Sequence, residues 1–487
     1  MNLSTLSQEQ KYAFDLFKKG ENVFITGPGG TGKTKLIEHM VEYCKFAGKR
    51  VQVCAMTGCA TILLPKSCNA RTIHSWSGIR LCKGENRKIV ENALKYKKNK
   101  ACWKGVRVLI IDEVSMMSVK VLEVLDAIAK NARYIEAPFG GIQVIFLGDF
   151  YQLPPVGTMG DEDTEKFCFE SKLWSQLFPL KNIVPLKTIF RQTDAKYKEI
   201  LLQIRESKLD EENVKLLEGY VQRPFDKTKY NGCVPTKLYP TRVKTDNYNN
   251  LMYSKLEGKS YLFHYKPKQD CRTYLESNKP ISLEHLSKCR NMTENMKEYE
   301  LQQLVSTSSY PEVLQLKIGA VVMCTVNLDM DNGICNGSQG IISNIVETET
   351  GIVPEVTFIN GIKKMLDIHY VQSEEYPTIA IGQIPLCLAW ALTIHKIQGA
   401  TLEMADIDVG NQIFECGQTY VALSRVKSLD GLYLSAFNPF RIRANAHVKA
   451  FYQHIPEKDY KIEENIFQSF ELKEEDYEES TVKKIVL

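Results

Sequence analysis

Up to about Pro179 short, mostly apolar runs alternate with amphipathic segments. Residues 23–26, 51–55, 106–111 and 143–147 are apolar at nearly every position, as strands buried on both faces of a parallel sheet are. Residues 34–46 and 120–130 carry apolar positions at helical spacing. Strand alternating with helix predicts one doubly wound α/β domain over residues 1–180. The same vocabulary returns at residues 184–186, 237–239, 386–392 and 431–434, which predicts a second α/β domain over 181–258 and 384–456. Between its two parts the chain turns β-rich, punctuated by Asp331-Asn332-Gly333, Asn336-Gly337 and Asn360-Gly361. Such pairs favour tight turns, so residues 259–383 are expected to form a small inserted barrel, within which 266–310 is polar and ambiguous. No short-period repeat is present. Residues 457–487 form an acidic tail, expected to make one short helix at most.

A chain of 487 residues exceeds what one hydrophobic core organises, in keeping with several domains. The longest apolar stretch, residues 384–394, falls short of the roughly 20 needed to cross a bilayer, so no membrane partner is expected. The opening is polar and the first arginine is Arg50, unlike a signal or transit peptide. Fourteen cysteines are scattered singly from Cys44 to Cys416 with no C-x-x-C pair, which argues against a zinc ribbon or a disulfide framework. Together these features predict an intracellular protein of the cytoplasm or nucleus. The formal charge is +4, but the tail holds ten acids and five bases, leaving +9 for the rest. A basic body suits a polyanion, although many proteins carry such a charge.

Candidate chemistry sits where the apolar runs end. Gly27-Pro28-Gly29-Gly30-Thr31-Gly32-Lys33-Thr34 follows the first run and opens a helical segment. In such a P-loop the backbone N–H groups of Gly27, Gly29, Gly30, Thr31 and Gly32 cradle the phosphates of ATP. Lys33 reaches the β and γ oxygens, and Thr34 can ligate Mg2+. The alternative, a chance glycine loop, does not require the strand and helix that flank this one. The run 108–111 ends in Asp112-Glu113, where Asp112 can hold the magnesium shell and Glu113 can polarise the attacking water; two solvated acids at a strand end is the plainer reading. Gln152, in Gly148-Asp149-Phe150-Tyr151-Gln152-Leu153-Pro154-Pro155, is a candidate γ-phosphate sensor, or a residue of a turn fixed by the prolines. Hydrolysis also calls for a cation beyond Lys33, and Arg191 and Arg425 are the candidates. Each is equally compatible with a surface ion pair.

The ordered set formed by Leu6-Ser7-Gln8-Glu9-Gln10, the P-loop, Thr57-Gly58-Cys59-Ala60, Thr72-Ile73-His74-Ser75, Ile111-Asp112-Glu113, the segment from Gly148 to Pro155, Phe190-Arg191-Gln192, Ile394-His395-Lys396-Ile397-Gln398-Gly399-Ala400-Thr401 and the segment from Tyr420 to Arg425 resembles superfamily one helicases of the 5′-to-3′ group. Pro138-Phe139-Gly140-Gly141-Ile142-Gln143 and Leu386-Cys387-Leu388-Ala389-Trp390-Ala391 narrow the resemblance to the PIF (petite integration frequency) type, over roughly residues 6–440. The resemblance implies two RecA-like domains that drive an ATP-dependent, magnesium-using DNA helicase along single-stranded DNA and through forked or tailed duplex. It implies roles in replication, repair or recombination, with a monomer as the basic motor. It makes Gln10 the adenine contact, Gln152 the γ-phosphate sensor, Arg191 and Arg425 the arginine pair, Gln398 a link between the ATP and DNA sites, and Gly399 a nucleotide-binding residue beside it. Thr57, Thr72, His74, Pro155, His395 and Lys396 become DNA-facing, residues 64–70 a small wedge, and the β-rich insertion, with Asn336-Gly337-Ser338-Gln339-Gly340, an SH3-like domain covering the strand.

Physical chemistry supports strand binding without the family. A motor on single strands needs sequence-blind phosphate donors and a few stacking surfaces. Thr, His and Lys at strand ends supply the first, and Trp76, Phe150 and Tyr151 are candidates for the second, although Trp76 and Phe150, as aromatics beside buried strands, more often pack in the core. Residues 83–107 hold nine bases against two acids, either a DNA track or a solvated helix face. Two rivals remain: a RecD-type helicase, which would lack the 138–143 signature, and a P-loop ATPase that remodels protein or binds nucleic acid as a switch. The latter leaves Arg425, His395 and Lys396 without a common task.

Overall fold

Strands apolar at every position must be covered on both faces, and the first sheet shows how. In this computed structural model, which describes residues 5–457 except 96, 226–233, 276–278, 308–309, 327, 330–331, 333, 335–337, 349–350 and 374–375, six parallel strands lie in the order Arg71–Thr72, Val51–Ala55, Val108–Asp112, Gln143–Gly148, Val23–Thr26, Ile183–Pro185. Successive side chains enter opposite cores. Val23, Ile25, Ile110 and Ile145 pack with helices Gln8–Lys18 and Lys33–Phe46, whereas Phe24, Ile111 and Phe146 pack with Val119–Arg133. Because the strands are parallel, the loops that follow Thr26, Ala55, Asp112 and Gly148 gather at one edge, where ligands of open α/β sheets bind.

The second parallel sheet has the order Ala391–Thr393, Thr236–Tyr239, Ala405–Val409, Leu432–Phe437. Three expectations are corrected here. The run 184–186, assigned to the second domain, is the edge strand Ile183–Pro185 of the first sheet, paired with Val23–Thr26. The run 386–392 is two strands: Leu386–Leu388 pairs antiparallel with Val321–Cys324, and Ala391–Thr393 pairs parallel with Thr236–Tyr239. A continuous apolar run reports burial, not partner, and the chain changes sheet at Ala389-Trp390. Finally, helix Ala446–Gln453, expected in the second domain, returns to the first, where Phe451 stacks on Phe169 at 4.5 Å and lies edge-on to Phe150 at 5.4 Å.

The insertion is β-rich as expected, with a five-stranded antiparallel sheet ordered Lys363–Met365, Gly351–Phe358, Gln339–Thr348, Val321–Cys324, Leu386–Leu388. Gly361, at φ +84°, supplies the left-handed turn of its Asn360-Gly361 hairpin. The ambiguous stretch contains helices Leu283–Arg290 and Glu294–Thr307, which propensity and polarity did not distinguish from loop. Val322, Phe358 and Leu386 belong to the same core as Leu238, Leu392 and Ile407, so insertion and second domain share one hydrophobic interior. The acidic tail beyond Glu457, Asn336 and Gly337 lie outside the described residues. No helix among the described residues is long and apolar enough to cross a membrane.

Candidate active site

The P-loop joins Val23–Thr26 to Lys33–Phe46, with Gly27, Gly30 and Gly32 at φ +143°, +84° and +78°, a backbone path only glycine follows freely. The loop lies against the second domain. A Cβ at Gly30 would sit 2.4 Å from Cβ of Arg191, and the Gly30 carbonyl accepts from the Phe190 amide at 2.8 Å. Gly29 donates its N–H to the Tyr420 hydroxyl at 2.9 Å. A Cβ at Gly29 would stand 3.6 Å from Nη1 of Arg191 and 3.6 Å from Nη2 of Arg425. Two guanidinium groups thus face the phosphate loop from outside its own domain.

They are not surface arginines. Arg425 is 1% exposed and is held by the Val421 and Ala400 carbonyls and the Ser424 hydroxyl at 2.8, 3.2 and 2.7 Å. Arg191 donates to the carbonyls of Gly399 and Ser424 at 3.2 and 3.4 Å. Burial, and then the neighbouring Arg191, push the Arg425 pKa down to about 9, and burial lowers that of Arg191. Two crowded cations short of counter-charge favour an anion between them and the loop.

Opposite, Asp112 ends its strand and Glu113 follows in left-handed backbone at φ 55°, ψ 42°, a strain of about 1–3 kcal/mol that persists where the surroundings impose it. Burial, followed by repulsion from Glu113, raises the Asp112 carboxyl to about 7. The Gln398 amide donates to Glu113 Oε2 at 3.3 Å and Gln152 Oε1 at 3.4 Å, so it joins the base candidate to the sensor candidate across the domain boundary. Lys33 donates to the carbonyls of Gly27 and Pro28 at 2.7 and 3.0 Å, and burial lowers its pKa against the pull of Asp149, Glu113 and Asp112. A cleft of about 220 Å³ is lined by residues 29–34, Asp112, Glu113, Gln152, Arg191, Gly399 and Arg425.

The structure therefore brings together every P-loop residue from Gly29 to Thr34 with Asp112, Glu113, Gln152, Arg191, Gly399, Arg425 and, through its amide, Gln398. Gly27 sits at the loop's base, where a Cβ would meet the Leu186 carbonyl at 2.5 Å. Gln10 closes a capping box with Ser7 and donates to the Thr31 carbonyl at 2.9 Å, so its amide ties the start of the first helix to the loop. Thr57 and Thr72, at the ends of adjacent strands, each cap a short helix, accepting from Ala60 and Ser75 N–H at 3.2 and 3.3 Å. His74 is half-buried, and its pKa is lowered by burial. His395, lowered likewise, stacks on the half-exposed Phe414 ring at 6.1 Å with planes 15° apart, and Lys396 is exposed.

Departures from expectation are informative. Pro155, expected to face DNA, is buried. Trp76, Phe150 and Tyr151 are 3%, 1% and 8% exposed, so the core reading holds for Trp76 and Phe150, and Tyr151, expected as a stacking surface, is buried as well. In the wedge segment, Leu64 and Cys68 pack in the first domain's core. The basic stretch forms helices Asn86–Lys95 and Lys97–Gly105 against Val119–Arg133, with Arg87 paired to Glu91. Residues the sequence reading gave no role include Tyr420, although it lies in a quoted motif, and Arg205, which grips Asp149 with two hydrogen bonds of 2.9 and 2.8 Å. No local pattern marks Arg205 within an amphipathic helix.

Comparison with known proteins fits this geometry. A family model described as PIF1-like helicase matches residues 5–215, and one described as DNA helicase Pif1, 2B domain, matches residues 300–345. The ATP-dependent DNA helicase PIF1 of Homo sapiens is 31% identical over 450 residues, 92% of this chain and 63% of that protein; the chain thus spans under two thirds of this relative's length. The crystal structure of Pif1 helicase from Candida albicans is 31% identical, with a TM-score of 0.73 over 94% of this chain and 100% of that one. The Bacteroides Pif1 helicase in complex with ADP-AlF3 and single-stranded DNA is 26% identical, with a TM-score of 0.60 over 92% of this chain and 96% of that one. Two RecA-like parallel sheets, a phosphate loop faced by two arginines and similarity along the whole Candida structure lead to one assignment: the chain belongs to the PIF1-like helicase family.

Proposed function

We propose that the chain is an ATP-dependent DNA helicase that moves 5′-to-3′ on single-stranded DNA and unwinds forked or tailed duplex. The carrying observation is the pair of guanidinium groups, Arg191 and Arg425, aimed at the P-loop of the other domain: turnover then depends on how the two domains sit, which is what a motor requires. ATP phosphates take the N–H groups of residues 29–32, and Lys33 exchanges the Gly27 and Pro28 carbonyls for phosphate oxygens. Glu113 accepts a proton from the attacking water while Gln152 orients it, and Arg191 and Arg425 stabilise charge on the transferring group. The buried Asp112 carboxylate, short of counter-charge, and the exposed Thr34 hydroxyl suit magnesium, which binds through one or two protein oxygens plus phosphates. Bound there, the ion would neutralise phosphate charge.

DNA lies along Thr57, Thr72, His74, His395 and Lys396 in this reading. Its support is that the helix after Thr57 and the segment after Lys396 touch, a Cβ at Gly399 falling 2.6 Å from Leu63 Cδ1. The five-stranded sheet is read as the SH3-like insertion that helps to cover the strand, and the second domain as residues following Leu186 together with those from Ala391 to about Ile442. The human relative's name states ATP dependence and DNA, and the Bacteroides complex holds single-stranded DNA; here both are proposals. The test is ATP turnover with and without single-stranded DNA, alongside strand displacement on duplexes with 5′ or 3′ tails. DNA-stimulated turnover with unwinding from the 5′ tail is expected; unstimulated turnover without displacement would leave a simple P-loop switch.

A further inference from the structure

Behind the cleft, the turn that carries Gln152 is gripped from the second domain at three points. Gln398 donates to its side chain at 3.4 Å. Gly417 presses on its backbone so closely that a Cβ there would lie 2.4 Å from the Tyr151 carbonyl oxygen and 2.6 Å from that of Gln152. Arg205, on helix Ala195–Glu206, whose Tyr197, Ile200 and Ile204 lie in the second domain's core, holds the Asp149 carboxylate with two hydrogen bonds. Asp149 in turn shapes the turn, its carbonyl accepting from the Gln152 amide at 2.8 Å and its Oδ1 from the Tyr151 amide at 3.3 Å.

A fourth contact comes from the far end of the chain. Tyr452, on the helix that returns to the first domain, donates to Asp149 Oδ1 at 3.3 Å, accepts from the Phe150 amide at 3.1 Å and meets the Thr26 hydroxyl at the base of the P-loop. Its ring stacks on Tyr151 at 4.8 Å, and the Arg205 guanidinium lies 4.4 and 5.1 Å from the Tyr151 and Tyr452 ring centroids. The ion pair is 9% and 0% exposed. Separating such a pair leaves two desolvated charges or requires water to enter, so it favours one relative placement of the domains.

We propose that Asp149, Arg205 and Tyr452 form a positioning joint that converts the relative placement of the two domains into the placement of Gln152 at the phosphoryl end of the cleft. This deepens the motor reading and rests on it. None of the three is a catalytic residue, since none lines the cleft. Loosening the joint therefore slows the step that needs Gln152 and leaves the grip of the P-loop on nucleotide unchanged.

Two variants of the full chain test this. Arg205→Lys keeps the charge and loses the two-pronged grip; Tyr452→Phe keeps the stacked ring and loses the hydroxyl contacts. With saturating single-stranded DNA, kcat for ATP is expected to fall about tenfold or more in Arg205→Lys and about threefold or more in Tyr452→Phe. KM for ATP and strand affinity should stay within about twofold. Wild-type kcat in both, or losses in kcat that come only with equal rises in KM and a lowered melting temperature, would reduce the joint to a structural ion pair. Should Arg205→Lys fail to fold, Tyr452→Phe decides. A wild type with DNA-stimulated turnover but unaffected variants overturns the joint alone, whereas a wild type without ATP turnover overturns the motor reading and the joint with it.

Discussion

Asp112 carries the sharpest conflict between stability and chemistry. Its carboxyl titrates near 7 in the fold, raised by burial and by Glu113, against about 3.9 in an unfolded chain. The folded state binds the extra proton, so the stability contributed is full below about pH 4 and is lost as pH rises through about 7. Asp112→Asn, which cannot ionise, should therefore melt higher than wild type at pH 8 without nucleotide, and the gap should close toward pH 4. The same variant should lose most ATP turnover. Equal melting temperatures at pH 8 would contradict the burial argument. Glu113→Gln separates chemistry from binding: it keeps the Asp112 carboxylate, so nucleotide affinity by equilibrium titration should stay near wild type while turnover falls by about 10²–10⁴, the usual worth of a general base. Lys33, Asp112 and Glu113 were legible because phosphoryl chemistry demands those residue types in the loops and edges that end strands, whereas Arg191 and Arg425 were candidates that only the family resemblance set above surface ion pairs. Asp149, Arg205 and Tyr452 were not legible, because a buried ion pair between elements distant in sequence leaves no local signature.

At the level of elements, Gln339 shows how a turn reading can mislead. The motif Asn336-Gly337-Ser338-Gln339-Gly340 suggested a tight turn between strands, but Gln339 begins the strand Gln339–Thr348, is 6% exposed and donates to the Thr236 hydroxyl of the second parallel sheet. It fastens the insertion to the motor. Gln339→Ala should cost about 1–3 kcal/mol in urea unfolding and lower stability of the second domain together with the insertion in one transition, as their shared core requires. Two separate transitions would show independent units. Strand existence was readable from apolar runs, whereas strand partnership was not: residues 183–185 and 386–388 join sheets that only long-range packing selects.

Across the whole molecule, glycines mark where the two domains meet. Gly417, at φ +75°, touches the Tyr151 and Gln152 carbonyls without room for a methyl group. Gly417→Ala should prop the interface open, lowering DNA-stimulated turnover by about tenfold or more while each sheet stays folded by circular dichroism; unchanged turnover would mean that this contact does not set the working distance.

The return of helix Ala446–Gln453 to the first domain has a mechanical consequence. Among the described residues the chain crosses between the domains twice, once between Leu186 in the first core and Tyr197 in the second, and again between Ile442 in the second and Val448 in the first. Two tethers restrict the relative swing and twist of the domains more than one tether would. A single protease nick in either crossing leaves the halves linked through the other, and only cutting both would leave them held by non-covalent contacts alone.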